Sequence, residues 1–198
     1  MTSIKRPLHS MIVLFGVATL LCGCSTARYQ GDENSPFYAI PAGTHVVLAQ
    51  ALAIPPEQVG VFIQNGKVMP WSRINQYHAH CKFEMRDRKD TEQRVNPDEF
   101  LVTRVVQDVI HMLKWGRWQV AEASLVKRVS SKDDGGPSVM TYATYMYLAS
   151  ERQPRVFRLG CGHWDYPGTR SAEYLSIAQM RKALGDLITL QLPAKGGG

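Results

Sequence analysis

The side chains best suited to chemistry in this chain of 198 residues are its six histidines and four cysteines, and their spacing limits what they can do. His78 and His80 stand two apart, as do Cys161 and His163. On an extended chain, residues i and i+2 share a face, so either pair could present imidazole or thiolate to Zn or Cu. His78, His80 and His163 are the candidate metal ligands. Strand alternation works against a joint site. If Cys81 and Cys161 meet in a core, His78 and His80 face away from them. His163 starts on the cysteine face, unless Gly160 or Gly162 introduces a bulge. Exposed strand histidines are the simpler reading, so no metal site is assigned and no cofactor is implied.

Trp115 and Trp118, flanking Gly116-Arg117, form the one aromatic cluster that suggests a ligand or partner contact. An exposed Trp can stack on a sugar or sit at a membrane surface, and a Trp can equally fill a core. The chain has no Gly-x-Ser-x-Gly elbow, His-Glu-x-x-His, P-loop or dinucleotide fingerprint. No catalytic residue is assigned, and an enzyme is not expected.

The elements that would position these groups follow a distinctive leader. Met1–Ser10 carries Lys5 and Arg6 and no acid; an apolar run then reaches Leu21-Cys22-Gly23-Cys24. Its apolar core of roughly a dozen residues has the length of a secretory h-region and is short of a membrane span. The junction resembles the lipobox of bacterial lipoprotein precursors. That resemblance implies removal of residues 1–23, lipidation of Cys24, and an acyl anchor that holds the chain to a membrane. It also implies the outer membrane, facing the periplasm, because Ser25 rather than Asp follows the Cys. An ordinary cleaved signal releasing a soluble periplasmic protein is the alternative. The resemblance covers about the first 25 residues and carries no information on fold.

With Cys22 removed and Cys24 acylated, Cys81 and Cys161 remain, and in an oxidising compartment such a pair most simply forms a disulfide. Free thiols acting as ligands or as a redox couple are the rival. Removing residues 1–23 takes Lys5 and Arg6 and leaves 21 basic against 17 acidic side chains, a mild +4. Charges alternate in sign, as in Arg86-Asp87-Arg88-Lys89-Asp90, which fits a solvated loop and not a nucleic-acid surface.

Residues 24–35 read as an acylated tether, 36–193 as a single domain and 194–198 as a flexible tail. His45 to Ile54 reads as a strand, Val59 to Ile63 as another, with Asn65-Gly66 turning the chain back. His78 to Arg86 alternates most cleanly, putting Cys81, Phe83 and Met85 inward. Phe100–Lys114 stays open between strand and helix. Its β-branched residues favour a strand, whereas Asn96-Pro97-Asp98-Glu99 could cap a helix. Val120 to Arg128 pairs with Val139 to Leu148 as a long hairpin, Pro154 to Cys161 adds a strand, Ser176 caps a short helix ended by Gly185, and Leu187 to Leu192 closes the domain. The fold expected is a β-rich α+β domain, a single antiparallel β-sandwich or partly open barrel with one or two short helices.

Three functional classes follow. A non-catalytic envelope lipoprotein holding a protein partner, as an assembly or accessory factor, comes first. A binder of, or enzyme on, envelope polysaccharide or peptidoglycan comes second, and periplasmic metal binding through His78 and His80 third. Replacing Cys24 with Ala is expected to leave unprocessed or soluble protein; persistence of C24A in the outer membrane after a carbonate wash removes the anchor assignment.

Overall fold

Period-two alternation becomes, in a computed structural model that describes Tyr29 and residues 31–112, 139–169 and 173–194, a body built almost wholly of strands. Among these residues lie β1 (His45–Leu48), β2 (Leu52–Ile54), β3 (Gly60–Gln64), β4 (Lys67–Met69) and β5 (His80–Met85). They are followed by β6 (Gln93–Val95), β7 (Asp98–Met112), β8 (Val139–Ala149), β9 (Val156–Asp165), helix α1 (Ile177–Leu184) and β10 (Ile188–Gln191). Eight strands form one antiparallel sheet, ordered β10-β1-β7-β8-β9-β5-β3-β4 and curled into a half-barrel; β2 and β6 pair separately. Of the two architectures expected, this is the partly open barrel.

The inner face is apolar. Val46 and Leu48, Val61 and Ile63, Phe83, Phe100, Val102, Met146 and Leu159 are buried there in one cluster. Phe83 meets Phe100 edge-on at 5.7 Å between centroids. Helix α1 closes this face with Ile177, Met180 and Leu184 buried. Its start is a full capping box: the Ser176 hydroxyl accepts from the Gln179 N–H, and the Gln179 side chain accepts from the Ser176 N–H. At the β3–β4 hairpin, Asn65 and Gly66 both take positive φ, 52° and 73°, which the Asn-Gly pair supplies at little cost.

Several expectations need correction. His45–Ile54 is not one strand: Ala49, Gln50 and Ala51 break it, sending β1 to the large sheet and β2 to the small one. The helix alternative for Phe100–Lys114 is overturned by β7, which runs as one strand from Asp98 to Met112. Asp98, read as part of a cap, instead accepts from the Ser150 hydroxyl, the Gln153 amide and the Glu99 N–H. β8 has β7 on one side and β9 on the other; Val120–Arg128, read as its hairpin partner, lies outside the described residues. Arg86–Asp90 lies between strands, as the solvated-loop reading expects, and β6 follows it. Residues 31–35, read as tether, are bonded to the body: the Glu33 carbonyl accepts from the Ile177 N–H, and its carboxylate pairs with Arg181 at 3.2 Å.

Cys81 and Cys161 form a disulfide between directly opposed residues of β5 and β9, with Cα atoms 4.0 Å apart. The sequence separation is 80 residues. The pairing also sits within the core, where both sulfurs are buried. Closing a loop of that length restricts the unfolded chain by about 4 kcal/mol in the entropy model. Reduction, or a C81A/C161A pair, is therefore expected to lower unfolding stability by about 4 kcal/mol, read from urea midpoints with and without reductant. An unchanged midpoint, or alkylation of both thiols in the native oxidised protein, removes the bond.

Candidate functional site

The described residues most able to meet a ligand gather where β9 outruns β5. The last β5–β9 pair is His80 with Gly162, so Trp164 and Asp165 extend past it. The loop leading into β5 fills that gap: the Trp164 N–H donates to the Gln76 carbonyl at 2.7 Å. This loop is held from beneath by Gln64, a buried side chain at the end of β3. Its amide donates to the Asn75 carbonyl (2.9 Å) and the Ala79 carbonyl (3.2 Å), and its oxygen accepts from the Asn75 N–H (3.0 Å). A buried amide so satisfied fixes the loop that carries Tyr77 and His78.

Above this support stands an aromatic wall. Tyr77 stacks on Tyr166 at 5.7 Å with 27° between planes, and their hydroxyls lie 3.1 Å apart. Trp164 meets Tyr77 edge-on at 6.0 Å. Tyr77 and Tyr166 remain 40% and 37% exposed. The hydrogen bond to Tyr166 raises the Tyr77 pKa above its ordinary value, helped by burial, so the Tyr77 hydroxyl stays protonated at neutral pH. The wall borders a cleft of about 830 Å³ that also takes in His163, Glu173, Tyr174, Gln179 and Lys182.

The histidines separate. His78 and His163 line this cleft. His80 lies on the opposite face of β5 from Cys81, buried edge-on against Trp71 at 5.7 Å, with Nδ1 2.9 Å from the His78 carbonyl. His163 stands on the cysteine face of β9, stacked on Tyr142 at 6.0 Å, and no register shift occurs at Gly160 or Gly162. Among the described residues no group of three His, Cys, Asp or Glu is placed to hold a metal ion. Cys24, Trp115 and Trp118 lie outside the described residues.

The outer face of β5 also departs from its sequence reading. Alternation assigns His80, Lys82 and Glu84 to solvent, yet Glu84 is only 7% exposed. Its carboxylate pairs with Lys82 at 2.7 Å and with the Arg158 guanidinium. Burial alone would raise its pKa, and the bonds to Lys82 and Arg158 overcome that and hold it below the usual range. Arg158 in turn lies 4.3 Å over the Tyr145 ring. Trp71, Trp164, Tyr77 and Tyr166 went unselected in the sequence because single aromatics in strands and loops carry no spacing signal.

Neither protein-family models, nor curated proteins, nor solved structures give a match to this chain.

Burial holds the His80 pKa below its ordinary 6.5, against the opposing bond to the His78 carbonyl and with the His163 charge adding to the depression. The unfolded chain thus binds the proton more readily, so this contribution to stability is present above the ordinary value and is lost as pH falls below it. His80→Phe is expected to flatten the decline in Tm between about pH 7 and pH 5 relative to wild type. Equal slopes in the two proteins would show that His80 does not titrate as a buried group.

Proposed function

We propose that the protein is a non-catalytic lipoprotein, anchored through Cys24 in the outer membrane and facing the periplasm, that holds a protein partner as an accessory factor. The carrying observation is the open side of β7. β1 pairs only with Asp98–Leu101, and Gly43 and Thr44 bond to Val102. From Thr103 to Met112 β7 has no second neighbour among the described residues. Val102 turns its N–H and C=O toward that side. Past the bulge between Val102 and Arg104, alternation turns those of Val105, Gln107 and Val109 the same way.

An edge of this length with β-branched residues is a template for an added strand. Val105, Val106 and Val109 are half-buried, and Ile110 is 38% exposed. Arg104 and Asp108 share the outer face with Val106 between them. This pattern fits an antiparallel segment of another envelope protein that sets an acid against Arg104, an apolar residue against Val106 and a base against Asp108. A second copy of β7 could also satisfy that register, Arg104 against Asp108 and Val106 against itself, which makes self-association a separate experimental outcome.

The test is a photoreactive residue at Val106 or Ile110 in living cells. A discrete adduct with another envelope protein is expected, lost in Gln107→Pro because that change removes an outward N–H. Adducts with a second copy alone, or with glycan alone, overturn the partner reading.

A further inference from the structure

We propose that the cleft bordered by Tyr77, Trp164 and Tyr166 binds a β-linked oligosaccharide. This site is separate from the open side of β7 and stands whether or not that edge takes a partner.

The first support is shape and size. A cleft of about 830 Å³ lies within the ordinary range for small-ligand sites. The second is the wall. In a β-1,4 chain of gluco-configured sugars the ring substituents are equatorial, so each ring offers an apolar face of axial C–H bonds. Large amphipathic rings such as Tyr suit that face, because the ring packs while the hydroxyl stays wet. Tyr77 and Tyr166 remain more than a third exposed despite stacking on each other, so part of each ring is accessible to a sugar.

The third support is the chemistry around the wall. A sugar hydroxyl both donates and accepts, so its site needs donors and acceptors together. Asn34, Asn65 and Gln179 bring amides to the lining, Glu173 a carboxylate and Lys182 an ammonium. Acid and base are mixed, which gives no single-sign field to select an anion or a cation. The last support is rigidity. The Tyr77 loop is fixed through Gln64 at Asn75 and Ala79, and Gln76 is tied to Trp164. A wall already in place loses little conformational entropy when it takes a ligand.

The experiment uses the full chain, solubilised in detergent, titrated by calorimetry with the β-1,4-linked tetramer of N-acetylglucosamine. Saturation-transfer NMR on the same samples reads whether sugar C–H protons lie against aromatic rings. Binding is expected, with transfer to the C–H protons. Tyr77→Ala and Tyr166→Ala should each weaken it several-fold to about tenfold, the worth of one aromatic contact. Tyr77→Phe and Tyr166→Phe keep the rings and should stay within about threefold of wild type. Circular dichroism of each variant confirms the fold, and the Phe variants keep the comparison informative if an Ala variant unfolds. Absence of heat and of saturation transfer at millimolar tetrasaccharide overturns the site. So does wild-type affinity in a folded Tyr77→Ala or Tyr166→Ala protein.

Discussion

The register between β5 and β9 is the constraint on which the remaining structure depends. β9 is the strand that joins the β10-β1-β7-β8 half of the sheet to the β5-β3-β4 half. Slip that pairing by one residue and every inward side chain on one half turns outward. Cys81 opposite Cys161 forbids the slip covalently, and it does so at the centre of the seam. Glycines do the rest. Gly160 and Gly162 stand opposite Lys82 and His80, and a Cβ on Gly160 would come within 2.8 Å of the Tyr145 ring. A Cβ on Gly162 would come within 2.5 Å of the Tyr142 carbonyl oxygen. At these two positions the outer face of β9 is bare, so that Tyr145 can lie over it.

That bare strip explains a polar core outside the apolar one. With Tyr145 folded over Gly160, the outer face becomes crowded enough to bury Glu84. An isolated buried carboxylate costs several kcal/mol, so it is tolerated only with partners. Lys82 and Arg158 supply them, and both cations also rest against aromatic rings: Lys82 5.3 Å from Phe62, and Arg158 on Tyr145. Each cation thus contributes its stem and charge at once. The net effect of such a cluster on stability is small. Its clearer consequence is specificity, since a shifted register would leave Glu84 buried without a partner.

The legible part of the sequence was that governed by local rules. Alternation placed Cys81, Phe83 and Met85 inward, Asn65-Gly66 turned the hairpin, and Ser176 with Gly185 bounded the helix. Cys81 and Cys161, the two cysteines beyond the apolar N-terminal run, indicated their own bond. Legibility failed where a distant strand decides. Glu84 and His80 look solvent-bound in their own segment and are buried by Arg158 and Tyr145, remote in sequence, and by Trp71, which the turn before β5 folds back over the strand. β7 shows one period up to Val102 and the opposite parity from Arg104, because the bulge at Thr103 swaps faces. Read as a single pattern, such a strand imitates the mixed spacing of a helix. The aromatic wall was illegible for a related reason. Tyr77, Trp164 and Tyr166 are assembled by Gln64 and by the end of β9, and neither announces itself in the order of residues.

Both candidate surfaces arise from strands of unequal length. β7 has fifteen residues, whereas its neighbour β1 has four, so most of β7 extends beyond the cover of β1. β9 has ten residues against six in β5, and its excess falls past His80, at the same end of the sheet as the far end of β7. An overhang leaves backbone groups that must bond elsewhere or meet water. At β9 the debt is met by the Tyr77 loop, through Gln76, and the result is a rigid ledge of aromatic side chains beside a cleft. At β7 no described element plays that part. One overhang is closed by the chain itself and shaped as a site for something small, while the other keeps the geometry of a strand and suits something that can form one.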